Sequence, residues 1–353
     1  MIKKLNGDLC HEILSAESEH KLAFNPNINY SDWKKEVRNK FEELFGLARI
    51  SKNSCPLNIE IEEITERDKF KQIRFTFESE RGAVIPCYLL IPHVKKDKYP
   101  IAIALLGHIS GFHNSIGIPK YDDDEERYFP RYNMGLQAVE NGFAALCIEQ
   151  RGMGENGSLR TYGEDVIFKP CRQTCAFISL TAINLGRTVL GERIWDVSRA
   201  IDALKEFKIY GIDLDKIMIT GQSGGGTASY YAACYDERIK YCAPSCGFCS
   251  YQASIMDIEH CACNYVPGIC DWLEMEDLSC LIAPRKLTIY SGKYDDIFPI
   301  NGVRDAFDTI KKIYSVAGNE NNCRLVETLK NHYWCHELVW ENIVKDTVEL
   351  GWK

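Results

Sequence analysis

The sequence predicts an α/β fold: a mostly parallel central sheet flanked by helices, with an N-terminal helical and antiparallel β extension. Three observations carry this expectation. From Tyr99 onward, short apolar strands alternate with helical segments, the pattern of βαβ units. Ahead of them, Leu57 to Ile64, Phe70 to Ser79 and Val84 to Ile91 follow one another closely with a turn signal at Glu80 to Gly82, as antiparallel hairpins do. Finally, 353 residues at 45% hydrophobic and 26% charged are globular in composition and long enough to bury a sizeable core. With no repeat and no Pro/Gly/Ser linker, the chain reads as one domain over 1–353, an extension at 1–98 leading into a core at 99–353.

The elements follow in order. Ser31 to Leu47 carries Trp33, Val37, Phe41 and Phe45 at helical spacing, a stripe expected in the core. After the three antiparallel runs, strands are expected at Ile101 to Leu106, Phe143 to Glu149, Lys216 to Gly221, Ile239 to Ala243, Lys286 to Ser291 and Cys323 to Thr328. Helices fit between and after them at Met134 to Glu140, Arg193 to Phe207, Thr227 to Tyr235, Val303 to Ser315 and His336 to Leu350. Two connections, Met153 to Leu190 and Cys246 to Ile282, exceed ordinary turns and are expected to serve as pocket or lid insertions.

Composition also excludes partners. With 42 Lys+Arg against 50 Asp+Glu, the formal charge of −8 repels phosphate backbones and anionic lipid, so neither nucleic acid nor a membrane is expected. No apolar run approaches the length of a bilayer span. Sixteen Cys fall below the density of a disulfide scaffold, and Met1 to Leu14 lacks an apolar signal core, so a cytoplasmic protein with free thiols is expected. Assembly into a homo-oligomer is left open.

The sharpest motif is Gly221-Gln222-Ser223-Gly224-Gly225, between a strand and a helix. A serine hydroxyl is a weak nucleophile unless a base reaches it, and a tight strand-to-helix bend flanked by glycines exposes it to one. The bland alternatives are a helix-capping Ser223 and a phosphate loop, though Thr227 stands where that loop needs Lys. An acid and a histidine are required downstream. Asp295 emerges at the end of the strand Lys286 to Ser291, with Asp296 beside it as the alternative; one of the two is a turn carboxylate. His332 lies on the loop after the last strand and is favoured over His336, which is expected to start the helix. Backbone N–H groups of Gly224 and His108, the latter leaving the strand Ile101 to Leu106, are candidates for an oxyanion hole.

On these residues the chain resembles the α/β-hydrolase superfamily, more narrowly the acetyl xylan esterase-like and cephalosporin C deacetylase-like esterases, from about Ile85 to the C-terminus. Glu149-Gln150-Arg151-Gly152-Met153-Gly154-Glu155, Leu185-Gly186-Arg187-Thr188 with Gly191 to Asp196, His260 to Gly268, and Leu281-Ile282-Ala283-Pro284-Arg285 are similar to that group's segments. The resemblance places Ser223 as nucleophile, Asp295 as acid, His332 as base, and Gly224 with His108 at the oxyanion. Leu106-Gly107-His108-Ile109 departs from the usual His-Gly-His-Gly, and Asn331 from the usual Gly.

The motif predicts a serine carboxylesterase, and the resemblance implies small acyl esters, chiefly acetyl, carried by carbohydrates such as xylo-oligosaccharides; the partner is then a small acetylated saccharide. A peptidase or thioesterase on the same fold, or a non-catalytic binding protein, are the alternatives. Gly152-x-Gly154-x-x-Gly157 lacks the helix a dinucleotide site needs, and no cofactor is expected. Neither His260, Cys261 and Cys263 nor His332, Cys335 and His336 has spaced ligand pairs, so no metal is expected. The acids Asp122 to Glu126 read as a solvated loop.

Overall fold

Strands that bury both faces need unbroken apolar runs, and those that bury one face alternate. Both patterns occur in the computed structural model, which describes residues 6–94, 96–158 and 172–352. The strands β4 (Tyr99–Leu105), β5 (Ala144–Ile148) and β8 (Lys286–Gly292) are buried at every residue. By contrast β2 (Phe70–Glu80) buries Ile73, Phe75 and Phe77 on one face and leaves Arg74 and Thr76 partly open. With β1 (Glu60–Glu66), β3 (Ala83–Pro92), β6 (Ile212–Gln222), β7 (Ile239–Ser245) and β9 (Cys323–Thr328), they form a nine-stranded sheet in the order β1-β2-β3-β5-β4-β6-β7-β8-β9. The β1–β2, β2–β3 and β3–β5 pairings are antiparallel; every pairing from β5–β4 to β8–β9 is parallel. The α/β-hydrolase fold class expected from sequence is thus the one observed, with the antiparallel strands at its N-terminal end.

Helices cover both faces. Described ones are α1 (Leu9–Ala16), α2 (Tyr30–Leu44), α3 (Leu47–Ser51), α4 (Asp124–Tyr128), α5 (Met134–Glu140), α6 (Arg172–Asn184), α7 (Val189–Ala203), α8 (Gly224–Tyr235), α9 (Ile300–Val316) and α10 (His336–Glu349). On α2 the expected stripe is core: Trp33, Val37, Phe41 and Phe45 are buried, and Phe45 packs on Tyr231 of α8 with ring centroids 4.9 Å apart. Asn29 caps the helix, its side chain accepting from the N–H groups of Ser31 and Asp32. The predicted helix Arg193 to Phe207 begins earlier, at Val189, because Thr188 caps it through the Gly191 N–H at 3.0 Å. It ends earlier as an α-helix too, passing into a 3₁₀ turn at Leu204–Tyr210.

The expected insertion at Met153 to Leu190 holds α6, and residues 159–171 of it lie outside the described residues. The one at Cys246 to Ile282 is built of short 3₁₀ turns, of which Ala262–Asn264 packs on α6, α7 and α8 and Asp277–Leu281 on α2, α8 and α9. The Asp122 to Glu126 expectation needs correction, since Asp124 opens the short helix α4 and is fully buried. Its carboxylate accepts from Ser110 Oγ, from the Lys120 and Tyr121 N–H groups, and pairs with His113 Nε2 at 2.8 Å. Asp122, Asp123, Glu125 and Glu126 are exposed as expected. Among the described residues, no single helix is long and apolar enough to cross a membrane.

Candidate active site

Four parallel strands deliver the singled-out residues to one edge of the sheet. His108 follows β4, Ser223 follows β6, Asp295 follows β8 and His332 follows β9, all at strand C-terminal ends, where ligands gather on open α/β sheets. The bend at Ser223 is strained as a nucleophile turn requires: φ is +58° and ψ −126°, a region that L residues avoid. Its N–H donates to Ser245 O at 2.9 Å, anchoring the bend to β7. Ser223 occupies the N-cap position of α8, yet its side chain makes no capping hydrogen bond, which leaves the hydroxyl uncommitted. The close approach of neighbouring backbone explains the glycines. A Cβ at Gly107 would lie 2.8 Å from Gln222 O and 3.0 Å from Ser223 Cβ.

Asp295 is buried, and its two oxygens divide their work. Oδ1 accepts from the N–H groups of Ile297 and Phe298 at 2.9 and 3.1 Å, while Oδ2 meets His332 Nδ1 at 2.9 Å. Burial works against its charge, but the His332 hydrogen bond and these backbone donors outweigh it and hold the carboxyl below its ordinary range. Asp296, by contrast, is exposed. The ring of Phe298 stacks on that of His332 at 6.0 Å and 17°, fixing the imidazole plane. His336 is the first residue of α10, and its Nε2 lies 3.4 Å from Glu337 Oε1, on no path to Asp295.

Ser223, Gly224, His108, His332, Tyr132 and Phe298 line one cavity of about 210 Å³. Four of the five residues singled out from sequence line it, and Asp295 joins them through its contact with His332. His108 packs its ring against Gly224, close enough that a Cβ there would sit 3.1 Å from Nδ1. The loop carrying His108 is held from below, because Gln150 Nε2 donates to Leu106 O at 2.6 Å. Beside it Glu149, whose carboxyl burial pushes up to about 8, accepts from the Phe112 and Glu155 N–H groups. Arg151 of the same turn is bound to Glu80, Ser79 and Asp196 at 2.6 to 2.9 Å, tying β2 to α7.

Sequence reasoning missed several neighbours. Phe298 is one; nothing in its local sequence signals the stacking of its ring on His332. His260, weighed as a ligand with Cys261 and Cys263, instead meets Ser254 Oγ at 3.0 Å and Ile297 O at 3.2 Å, bracing the loop that carries Phe298. Cys261 and Cys263 gather with Cys175 and His108, their ligand atoms all within 4.8 Å of one another. The sequence-spacing test for ligands could not find this group, because Cys175 is far from the other two cysteines in sequence and only the fold unites them.

Residues 8–228 match the profile of the Abhydrolase family, more than half of the chain. The chain belongs to that family, within the α/β-hydrolase superfamily. A Bacillus subtilis (strain 168) protein, YtaP, provisionally named a hydrolase, is 23% identical over 295 residues, 83% of this chain and 92% of its own. A provisionally named acetyl xylan esterase from Bacteroides fragilis NCTC 9343 superposes with a TM-score of 0.79 at 18% identity, over 98% of this chain and 95% of that one. An acetyl xylan esterase from Paenibacillus sp. R4 gives 0.60 at 15% identity (86% and 94%). A glucuronoyl esterase from Solibacter usitatus gives 0.59 at 14% identity (85% and 90%). At these identities the likeness is one of fold.

Proposed function

We propose that this protein is a serine carboxylesterase that removes small acyl groups, chiefly acetyl, from carbohydrate esters such as acetylated xylo-oligosaccharides. The observation that carries the proposal is the 2.9 Å contact of Asp295 with His332 Nδ1 at the rim of the cavity that also holds Ser223 on its strained bend. In this reading Ser223 Oγ attacks the ester carbonyl as His332 Nε2 takes its proton. Asp295 holds the imidazole in the tautomer that leaves Nε2 free to accept. The backbone N–H groups of Gly224 and His108 receive the oxyanion. His332 returns the proton to the leaving alkoxide, and water activated by the same imidazole clears the acyl-enzyme.

The size and lining of the cavity favour a small neutral acyl group. About 210 Å³ is below the usual range for drug-sized ligands, and the described lining residues include Glu259 but no Lys or Arg. An anionic uronate acyl half, as in glucuronoyl esters, would meet no Lys or Arg among those described residues. Hydrolysis of p-nitrophenyl acetate and of acetylated xylo-oligosaccharides tests the proposal. Wild-type turnover and fluorophosphonate labelling are expected, with Ser223→Ala losing the label and about ten-thousandfold or more in kcat. Turnover undiminished in Ser223→Ala refutes it, and preference for acyl thioesters or aminoacyl amides reassigns the substrate.

A further inference from the structure

We infer that His108, Cys175, Cys261 and Cys263 form a four-ligand site for one zinc ion, placed beside the candidate active site. The four residues come from three segments: the loop after β4, the start of α6, and the 3₁₀ turn at Ala262–Asn264 with the residue before it. Their ligand atoms all lie within 4.8 Å of one another, with His108 Nε2 at 3.2 Å from Cys175 Sγ and 3.6 Å from Cys263 Sγ. Tetrahedral zinc with Zn–S near about 2.3 Å and Zn–N near about 2.0 Å sets its ligand atoms about 3.5 to 3.8 Å apart, so the cluster needs only small adjustments to accept the ion. Three soft sulfurs and one imidazole are a donor set that selects zinc over hard cations such as magnesium or calcium.

Charge supplies the independent argument. Three thiolates and a dication leave one net negative charge, which burial would make costly without a partner. Arg193 provides it: this guanidinium is 1% exposed, and its Nη2 donates to Cys175 Sγ at 3.2 Å. Its Nε and Nη2 also donate to Arg151 O, which fixes the guanidinium against the cluster. Among the described residues no carboxylate forms an ion pair with Arg193, so Cys175 Sγ is the side-chain acceptor it meets, placed to receive the charge that zinc-bound thiolates would carry. On binding, each Cys–H loses its proton to solvent as its Zn–S bond forms, and no electrons are transferred. With four protein ligands the ion has no open position and acts as a structural tie among the three segments. It would also fix the loop whose His108 N–H is assigned to the oxyanion, a consequence that rests on the proposed esterase chemistry, whereas zinc binding does not.

The full-length chain, produced in zinc-supplemented medium and purified without chelator, is to be assayed for metal by plasma mass spectrometry. One zinc per chain is expected in the wild type and equally in Ser223→Ala, which separates this inference from the catalytic one. Cys175→Ser and Cys263→Ser should lose most of it. Because those variants could misfold, two wild-type measurements stand beside them. Cobalt(II) exchanged into the site should show the intense visible bands of tetrahedral thiolate coordination, and capping the thiols with a mercurial should release zinc to a chromophoric chelator. Wild-type protein that neither carries nor takes up zinc or cobalt overturns the inference. So does full zinc retention in a folded Cys175→Ser, or peptide mapping that finds Cys175 joined by a disulfide to Cys261 or Cys263 in freshly purified protein.

Discussion

Two histidines and two aspartates competed for the same roles, and burial with local geometry separates them. Asp295 is enclosed and spends one oxygen on two backbone donors, so the other is aimed at His332; Asp296 points to solvent. Such an acid contributes through orientation and through stabilising the imidazolium formed during reaction. Asp295→Asn should therefore lower kcat on p-nitrophenyl acetate by about ten-thousandfold while leaving the far-ultraviolet spectrum intact. His332→Ala should lose comparable activity. His336→Ala, at the first turn of α10, should stay within a few-fold of wild type; a collapse of kcat in that variant and not in His332→Ala would reverse the assignment.

At the scale of elements, the decisive unit is β6, its bend and α8, buttressed by the loop after β4. Backbone groups approach so closely there that side chains have no room. Gly107→Ala is the informative test because its added methyl meets Gln222 O at 2.8 Å and Ser223 Cβ at 3.0 Å, a clash that moves the loop and not the core. On the proposed mechanism, displacing the N–H groups of Gly224 and His108 by a fraction of an ångström should lower kcat by up to about a hundredfold with little change in KM, read from steady-state kinetics. An unchanged kcat would mean that the loop after β4 does not position the reaction.

For the molecule as a whole, the N-terminal extension is joined to the rest through charges as well as strands. Arg151 spans Glu80 on β2 and Asp196 and Glu192 on α7, and Arg187 adds to Glu80 and Glu192. Removing one member strands buried carboxylates, so Arg151→Ala should cost about 3–5 kcal/mol in urea unfolding. Stability should also depend on pH through carboxyls that lack such partners. Burial first, then neighbouring acids, pushes Glu276 up to about 8, and burial pushes Asp277 up to about 7. Unfolded, both titrate near about 4. Their contribution is therefore intact at pH values below the unfolded range and is lost progressively as pH rises through their folded values. Glu276→Gln should raise the thermal midpoint above wild type at about pH 9, the gain shrinking toward about pH 5. An equal shift at both pH values would refute that account.

What the sequence determined by itself is whatever is encoded locally. Apolar runs and alternation marked the parallel and antiparallel strands to within a few residues, the Trp33 to Phe45 stripe marked a core helix, and the glycines around Ser223 marked a tight bend. Helix starts were less legible where a cap and a glycine precede the periodic stretch, as at Thr188 and Gly191. Only the tertiary structure buried Asp295 against His332 and left Asp296 exposed, turned Asp124 inward, and gathered His108, Cys175, Cys261 and Cys263. The physical reason is common to all three. Strand and helix signals repeat over a few residues, whereas a carboxylate's partner or a sulfur's neighbour is fixed by which distant loops the sheet order brings to the same edge.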